Sequence, residues 1–259
     1  MENIFSPARF GNLINKHFRE HLRTYLMISI VFGGGVLLLF MFLISASNRP
    51  LTLEDQFAIW GVSLMVGIFV FTANVFAPYN HSRSAFPATT LPASIFEKYL
   101  LHWLVSFAGF TFFALAAYHL SQSIIIGYLR ANGLETEQFF AWNGTEASPP
   151  SNRILLVYIL LHSVAFLGAV SFRKNTVLLT ALVAFSTVAL YVYINHLLTQ
   201  AVLNGDGSLL PFSHVNVLTV DGWASINRPN NELWATISLS TLILLLWICA
   251  YFKLKERQV

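Results

Sequence analysis

Long apolar stretches separated by charged segments dominate the sequence. Six stretches of at least 19 residues contain no Asp, Glu, Lys or Arg. A helix that crosses a hydrocarbon core of about 30 Å needs about 20 mainly apolar residues. The pattern therefore predicts six transmembrane helices, near residues 26–45, 57–77, 103–126, 154–172, 176–198 and 234–252.

The apolar stretches favour helices over membrane-spanning strands. An open strand in lipid leaves backbone groups without hydrogen bonds. A transmembrane barrel needs strict alternation of apolar and polar residues, and the run VLLLFMFLI at residues 36–44 shows none. We therefore expect an all-α integral membrane protein.

Residues 7–25 show a second pattern, in which apolar side chains recur every four residues. These side chains are Phe10, Ile14, Phe18 and Leu22. Basic residues fall on the other sides, and Ser6 and Pro7 supply an N-cap and a first-turn residue. A basic amphipathic helix of this kind lies along a membrane surface. We expect such an interfacial helix in residues 1–25, followed by a six-helix domain in residues 26–259; a solvated leader is the alternative.

The distribution of Lys and Arg predicts the orientation of the helices. Of the 15 basic residues, eleven fall in segments on one side of the predicted membrane and four on the other. Lys and Arg are enriched in cytoplasmic segments. Both termini are therefore expected in the cytoplasm.

Composition supports a membrane protein and excludes several other classes. The chain is 56% hydrophobic and 10% charged, whereas soluble domains contain about 25% charged residues. These values exclude a disordered chain or a nucleic-acid-binding arm, so membrane lipid is an expected partner and nucleic acid is not. The single cysteine, Cys249, excludes an internal disulfide.

The predicted cytoplasmic segment 80–103 contains two helix-breaking prolines, Pro87 and Pro92. Ser94 followed by Glu97 matches a capping box, in which each residue satisfies a backbone group of the other. A helix is expected to begin there and to continue into the third span.

Apolar side chains also lie in this segment, among them Phe86 and Leu91. They are expected at the boundary between membrane and water. One interpretation is a docking surface that fits the groove of a partner. The other is an interfacial turn that returns the chain to lipid. The sequence chemistry favours neither.

The sequence lacks the common catalytic and nucleotide-binding motifs. The phosphate-binding pattern G-x-x-x-x-G-K-[ST] is absent, and Gly33-Gly34-Gly35 lies in an apolar helix, where its expected role is close helix packing or local flexibility. The zinc-protease pattern H-E-x-x-H and the nucleophile pattern G-x-S-x-G are absent as well. We expect neither enzymatic activity nor a metal or other cofactor in this chain.

Ionisable residues are sparse in the predicted spans. None contains Asp, Glu, Lys or Arg, which disfavours an ion-coupled carrier, because coupling ions need a partner at low dielectric. His102 and His196 lie near span ends, where satisfied interfacial histidines are expected. His119 and His162 lie deeper, but their spacing supports no metal or haem pair.

The two long outer segments give weaker predictions. Residues 127–153 are polar and indicate a solvated connection, with a short helix around residues 135–141. Residues 199–233 are rich in apolar side chains. That segment either folds back on the outer membrane surface or forms a gate over a substrate path.

The layout resembles the ABC-2 type transporter permease family. The shared features are a basic amphipathic leader, six spans, a proline-broken loop after the second span and a long outer segment before the sixth. The stretch Thr90-Leu91-Pro92-Ala93-Ser94, with Glu97 and Lys98 after it, is similar to the "LP-x-S … K" stretch of these permeases. The chain departs from a common variant at Ile95, where a basic residue often follows the serine.

The resemblance implies a permease subunit of an ATP-driven transporter in the bacterial cytoplasmic (inner) membrane. Residues 7–25 would form the elbow helix, and residues 85–94 the coupling helix that docks on a separate ATPase subunit carrying ATP and Mg²⁺. The implied coupling residues are Phe86, Leu91, Pro92, Ser94, Glu97 and Lys98. A second permease subunit, identical or different, would complete the transporter for a hydrophobic or amphipathic substrate. The alternatives are a non-transporting membrane scaffold or immunity protein and an ion-coupled secondary carrier.

Overall fold

The structure, a computed structural model, describes residues 5–47, 52–76, 93–133, 152–203, 215–219, 222–226 and 231–258. Its helices are α1 (Pro7–Ser47), α2 (Leu53–Ala73), α3 (Ile95–Trp103), a π-helical segment (Leu104–Gly109), α4 (Phe110–Ala131), α5 (Asn152–Ser171), α6 (Thr176–Leu203) and α7 (Asn231–Gln258). Two strands, β1 (Val215–Thr219) and β2 (Gly222–Ile226), precede α7.

Six membrane-length helices are present among these residues, which confirms the number predicted. They are Pro7–Ala46, Asp55–Ala73, Ile95–Ala131, Ile154–Ser171, Thr176–Leu198 and Leu233–Glu256. The third is formed by α3, the π-helical segment and α4 without a break. By length and composition, these helices are those of a multi-pass membrane protein.

The predicted interfacial helix and the first span form one continuous helix. As expected, α1 begins at Pro7, directly after Ser6. It then continues to Ser47 with no break at residue 25. Residues 7–25 are therefore helical as predicted, while their position along the membrane surface stays a prediction.

Capping boxes begin α2 and α3. The predicted box at α3 is confirmed, because the Glu97 backbone N–H donates to Ser94 Oγ at 3.1 Å and the Ser94 N–H donates to Glu97 Oε2 at 2.8 Å. The Thr52 hydroxyl and the Asp55 carboxylate make the same exchange at α2, both at 3.2 Å. Each box fixes the residue at which a membrane helix begins.

Helix packing forms two larger cores joined by α5, and a small third core between α1 and the beginning of the third span. One core lies among α1, α2 and α4, where Phe40, Trp60 and Tyr118 are buried. The other lies among α3, α5 and α7 and includes Phe166 and Leu254. Helix α5 packs against α2, α6 and α7, which makes it the central helix of the bundle.

Helix α6 has the most exposed apolar surface. Only 6% of an 18-residue apolar stretch of this helix is buried inside the protein, and Phe185 is 77% exposed. Apolar surface on this scale is unfavourable in water. It fits a helix whose outer face contacts lipid.

The described residues are almost entirely helical, as predicted, apart from one β-hairpin. Strands β1 and β2 are antiparallel, with Val215 opposite Ile226 and Thr219 opposite Gly222. An Asp-Gly pair between apolar residues is a hairpin signal, but Gly222 here pairs with Thr219 within β2, so Asp221-Gly222 is not the central pair of the turn. The hairpin lies in segment 199–233; its role as gate or surface element stays open.

Several predicted features lie outside the described residues. These are Phe86, Leu91, Pro92 and the short helix at 135–141.

The predicted orientation gives an expected labelling pattern. In a background with Cys249 replaced, Ser82→Cys should be protected from an impermeant thiol reagent in intact cells, whereas Gly207→Cys should be labelled. The reason is the basic asymmetry, which places segment 80–103 inside. Permeabilised cells, in which both sites react, provide the control. Labelling of both sites in intact cells would contradict the six-span orientation.

Candidate functional site

Glu97 joins the N-termini of two helices. Its Oε1 accepts the backbone N–H of Ser6, directly before α1, at 2.8 Å. The same oxygen accepts a hydrogen bond from Arg9 Nη2 at 3.1 Å. Its Oε2 accepts the backbone N–H of Ser94 at the start of α3. We call this arrangement the Glu97 junction.

The electrostatics of the junction explain how a carboxylate is accommodated inside the protein. The side chain of Glu97 has no solvent exposure, and an isolated buried carboxylate is strongly disfavoured. Here it lies at the positive ends of two helix dipoles and beside a guanidinium group. Arg9 remains 41% exposed, so the charge pair extends from the protein interior to the surface.

The predicted coupling residues Ser94, Glu97 and Lys98 therefore have inward contacts. Ser94 caps α3 and is half-buried, while Glu97 and Lys98 are buried. Their side chains do not form an open docking surface in this structure. The Glu97 junction connects the segment before α3 to the N-terminus of α1, and the implied role of these residues in ATPase coupling stays a prediction.

The predicted elbow stripe divides into two parts. Phe10 and Ile14 pack beside Leu13 against Leu101 and Val105 at the beginning of the third span. The remaining positions, Phe18 and Leu22, are 45% and 52% exposed. The first part binds the elbow region to this chain's own α3. Only the second part presents the apolar face that was expected to contact lipid.

Aromatic and imidazole side chains form a cluster just beyond this contact. His17 Nε2 lies 2.6 Å from the Tyr25 hydroxyl, and the His17 ring is 5.7 Å from that of His102. His102 stacks on Phe76 with ring centroids 4.5 Å apart. Its Nδ1 lies 2.7 Å from the Lys98 carbonyl oxygen, a distance at which it donates. The His102 ring therefore has a hydrogen-bond partner within the protein, as predicted.

A cavity of about 990 Å³, open on one side, begins at this cluster and lies between α1 and α2. The polar lining residues are mainly at one end: His17, His21, Thr24, Tyr25 and Asn74. The rest of the lining is mostly apolar and includes Val31, Phe32, Val36, Val66 and Phe110. The cavity thus has a polar end and an apolar body, and we call it the α1–α2 cavity.

Gly67 determines the shape of the cavity wall. A Cβ atom at this position would lie 2.5 Å from Phe32 Cε2 and 2.7 Å from Phe110 Cζ. Both distances are far below van der Waals contact, so any side chain would displace the two rings. The glycine allows the aromatic rings of α1 and α4 to approach α2. Sequence analysis missed this residue because an isolated helix glycine gives no sign of what packs on it.

A polar chain crosses the bundle deeper in the membrane region. Trp247 Nε1 donates to His162 Nδ1 at 3.4 Å, and His162 Nε2 lies 3.0 Å from Ser106 Oγ. Since Nδ1 accepts, the hydrogen-bond pattern places the His162 proton on Nε2, directed at Ser106. Ser106 Oγ donates onward to the Trp103 carbonyl at 3.3 Å. The chain joins the third span, α5 and α7.

The π-helical segment includes Ser106 and belongs to this arrangement. π-Helical turns are rare and often occur at functional sites. Thr111, two residues after the segment, forms a hydrogen bond with the Tyr158 hydroxyl of α5 at 2.7 Å. We interpret this polar network as a helix-packing contact, because each of its members is satisfied within the protein.

Two further histidines, His119 and His162, lie in different environments. His119 is exposed on α4, while His162 is fully buried on α5. Within the described ranges, no group of three His, Cys, Asp or Glu side chains has a geometry that could hold a metal ion.

The glycine triplet of α1 has one close contact. A Cβ atom at Gly33 would lie 3.3 Å from Ala117 Cβ of α4, while Gly34 and Gly35 have open space. Close packing is thus the role of Gly33, and Gly35 lines the α1–α2 cavity.

Comparison with protein-family models, with curated proteins and with solved structures finds no match to this chain.

Proposed function

We propose that the chain is the permease subunit of an ATP-driven transporter in the bacterial cytoplasmic membrane. It would move a hydrophobic or amphipathic substrate together with a second, identical or different, permease subunit. ATP and Mg²⁺ would be bound by a separate ATPase subunit. The proposal combines the sequence resemblance to ABC-2 type permeases with the geometry of the Glu97 junction.

The observation that carries the proposal is the Glu97 junction. The segment implied as the coupling helix, residues 85–94, ends where α3 begins, and Glu97 ties this point to the N-terminus of α1. A push on the segment would therefore reach two membrane helices at once. That is the mechanical link that a permease driven by an external ATPase needs.

The α1–α2 cavity supports the substrate class. It is formed by α1 and α2, and α1 is also held by the Glu97 junction. A movement of α1 against α2 would change the width of the cavity. ATP can shift the equilibrium between two such states only if its affinity for them differs. Here that difference would arise because ATP binds more tightly when the ATPase subunits are closed.

The proposal predicts that Phe86 and Leu91 bind the ATPase. Truncating one buried anchor at a protein interface costs on the order of 2 kcal/mol, roughly a thirtyfold weaker complex. Phe86→Asp combined with Leu91→Asp should therefore abolish recovery of the ATPase with the tagged chain in mild detergent. The yield is normalised to membrane-inserted protein.

A matched control uses the predicted outer side. Leu134→Asp with Phe139→Asp makes the same change of charge and hydrophobicity in segment 127–153, where no ATPase is expected, and should leave recovery intact. Undiminished ATPase recovery with the Phe86/Leu91 variant would contradict the docking role. A loss of inserted protein with normal recovery per molecule would instead support the interfacial-turn interpretation.

A further inference from the structure

We propose that the α1–α2 cavity is a binding site for a neutral, single-chain amphiphile. Its head group would hydrogen-bond at the polar end, beside His21, Thr24 and Asn74, and its alkyl chain would lie along Val31, Phe32 and Val66. This inference deepens the proposed function and rests on it in one respect, the naming of the bound molecule as a substrate. The binding site itself is argued independently of that function.

Polar residues line one end of the cavity and apolar residues most of the rest, which favours an amphiphile over a pure hydrocarbon. Asn74 Nδ2 donates to the Val70 carbonyl at 2.8 Å, which directs the amide oxygen away from its own helix. Thr24 adds a hydroxyl and His21 a ring nitrogen at the same end. A head group with both hydroxyl donors and acceptor oxygens matches these partners.

The absence of formal charge in the lining supports a neutral head group. The described lining residues include no Asp, Glu, Lys or Arg. Recognition of a phosphate or carboxylate head generally uses Arg or Lys in bidentate or charge-assisted hydrogen bonds. A hydroxyl-bearing head of the monoacylglycerol kind needs no such partner.

The dimensions of the cavity fit a single alkyl chain. Its apolar body follows α1 from Ile28 to Val36, about 12 Å at 1.5 Å per residue. The cavity measures about 990 Å³, which is sufficient for an alkyl chain and its head group. A second helix packed over its open side is an alternative that the cross-linking test below distinguishes.

The test uses the full chain in detergent and a monoacylglycerol probe with a photoreactive diazirine in its alkyl chain. Adducts should map to α1 and α2 and disappear with excess unlabelled monopalmitoyl glycerol. Val31→Trp fills the cavity from a side chain that is 74% exposed, so it leaves the core intact and should reduce labelling about tenfold, equal to about 1.4 kcal/mol.

Matched variants separate the site from general lipid contact. Val188→Trp makes the same change on α6, at a position 60% exposed, and should not alter labelling. Asn74→Leu should remove the preference for the monoacylglycerol probe over a diazirine alkane of equal length. Gly67→Ala, which displaces Phe32 and Phe110, should reduce labelling, whereas Gly61→Ala, with open space around it, should not.

Three results would overturn the inference. One is unchanged labelling of the Val31→Trp protein, and another is labelling spread equally over α6, which indicates surrounding lipid only. The third is efficient cross-linking of Val31→Cys between two copies, which indicates that a second chain fills the cavity. Because the assay needs no ATPase, its failure leaves the ATPase partnership standing, and failure of the partnership leaves the binding result standing.

Discussion

Replacing Glu97 with Ala is expected to destabilise the protein by roughly 3 kcal/mol, the lower end of the range for removing one partner of a buried ion pair. The substitution removes the acceptor of two backbone N–H groups and of the Arg9 guanidinium. The exposure of Arg9 limits the penalty, because the guanidinium can be solvated. Thermal unfolding of the detergent-solubilised protein should shift down by about 6–12 °C.

Two further variants test the physical cause. Glu97→Gln removes the charge and turns an NH2 donor toward one of the N–H groups, but it keeps one acceptor oxygen, so it should be less destabilising than Glu97→Ala by about 1 kcal/mol, the value of one hydrogen bond. Glu20→Ala removes an exposed partner of Lys16, 3.8 Å away on α1, and should cost no more than about 0.5 kcal/mol. If Glu97→Ala melts like Glu20→Ala, the Glu97 junction does not hold the two helices.

Replacing Gly168 with Ala is expected to separate α5 from α6. An added Cβ would overlap the side chain of Thr180, which is 3% exposed. The two helices are joined by a short turn in which Asn175 has a φ of 48°, so the clash lies close to a fixed connection. Overpacking of this kind costs about 1–3 kcal/mol, and the thermal midpoint of the purified protein should fall accordingly.

Gly127→Ala is the matched control, because a Cβ at that membrane-helix position meets no atom within 4 Å. Alanine has the higher helix propensity, so this variant should unfold at the wild-type temperature or slightly above it. Equal midpoints for the Gly168 and Gly127 variants would show that α5 and α6 are not in the close contact described.

The membrane helices were predictable from the sequence because lipid imposes a simple rule on composition. A span must be long, apolar and free of charge, and the six charge-free stretches satisfy it. The capping box at Ser94 and Glu97 was also predictable, since it depends on residues three positions apart. Such local signals need no knowledge of tertiary contacts.

The contacts of the candidate site were not predictable, because they join distant parts of the chain. Glu97 and Ser6 are 91 residues apart, and no local pattern pairs them. Gly67 likewise acts through the Phe32 and Phe110 rings that pack over it. The π-helical segment from Leu104 to Gly109 has no distinctive residue pattern, and only its contacts with α5 show its place in the bundle.

The environment of individual side chains, whether protein, lipid or solvent, was predicted least well. The four-residue periodicity identified an apolar stripe, but periodicity does not distinguish lipid from protein as the neighbour. Phe10 and Ile14 pack on the third span while Phe18 remains exposed. The capping-box pattern likewise gives no sign that Glu97 and the neighbouring Lys98 are buried, as both are in the structure.

The central claim is that a separate ATPase drives this chain, and purification from native membranes tests it most directly. The tagged wild-type chain, isolated in mild detergent and analysed by mass spectrometry, should carry an ATPase with a phosphate-binding loop in near-stoichiometric amount. ATP hydrolysis should follow that subunit and be absent from the chain alone, which lacks the motif. Recovery of intact chain with no ATPase, or hydrolysis by the chain alone, would contradict the account.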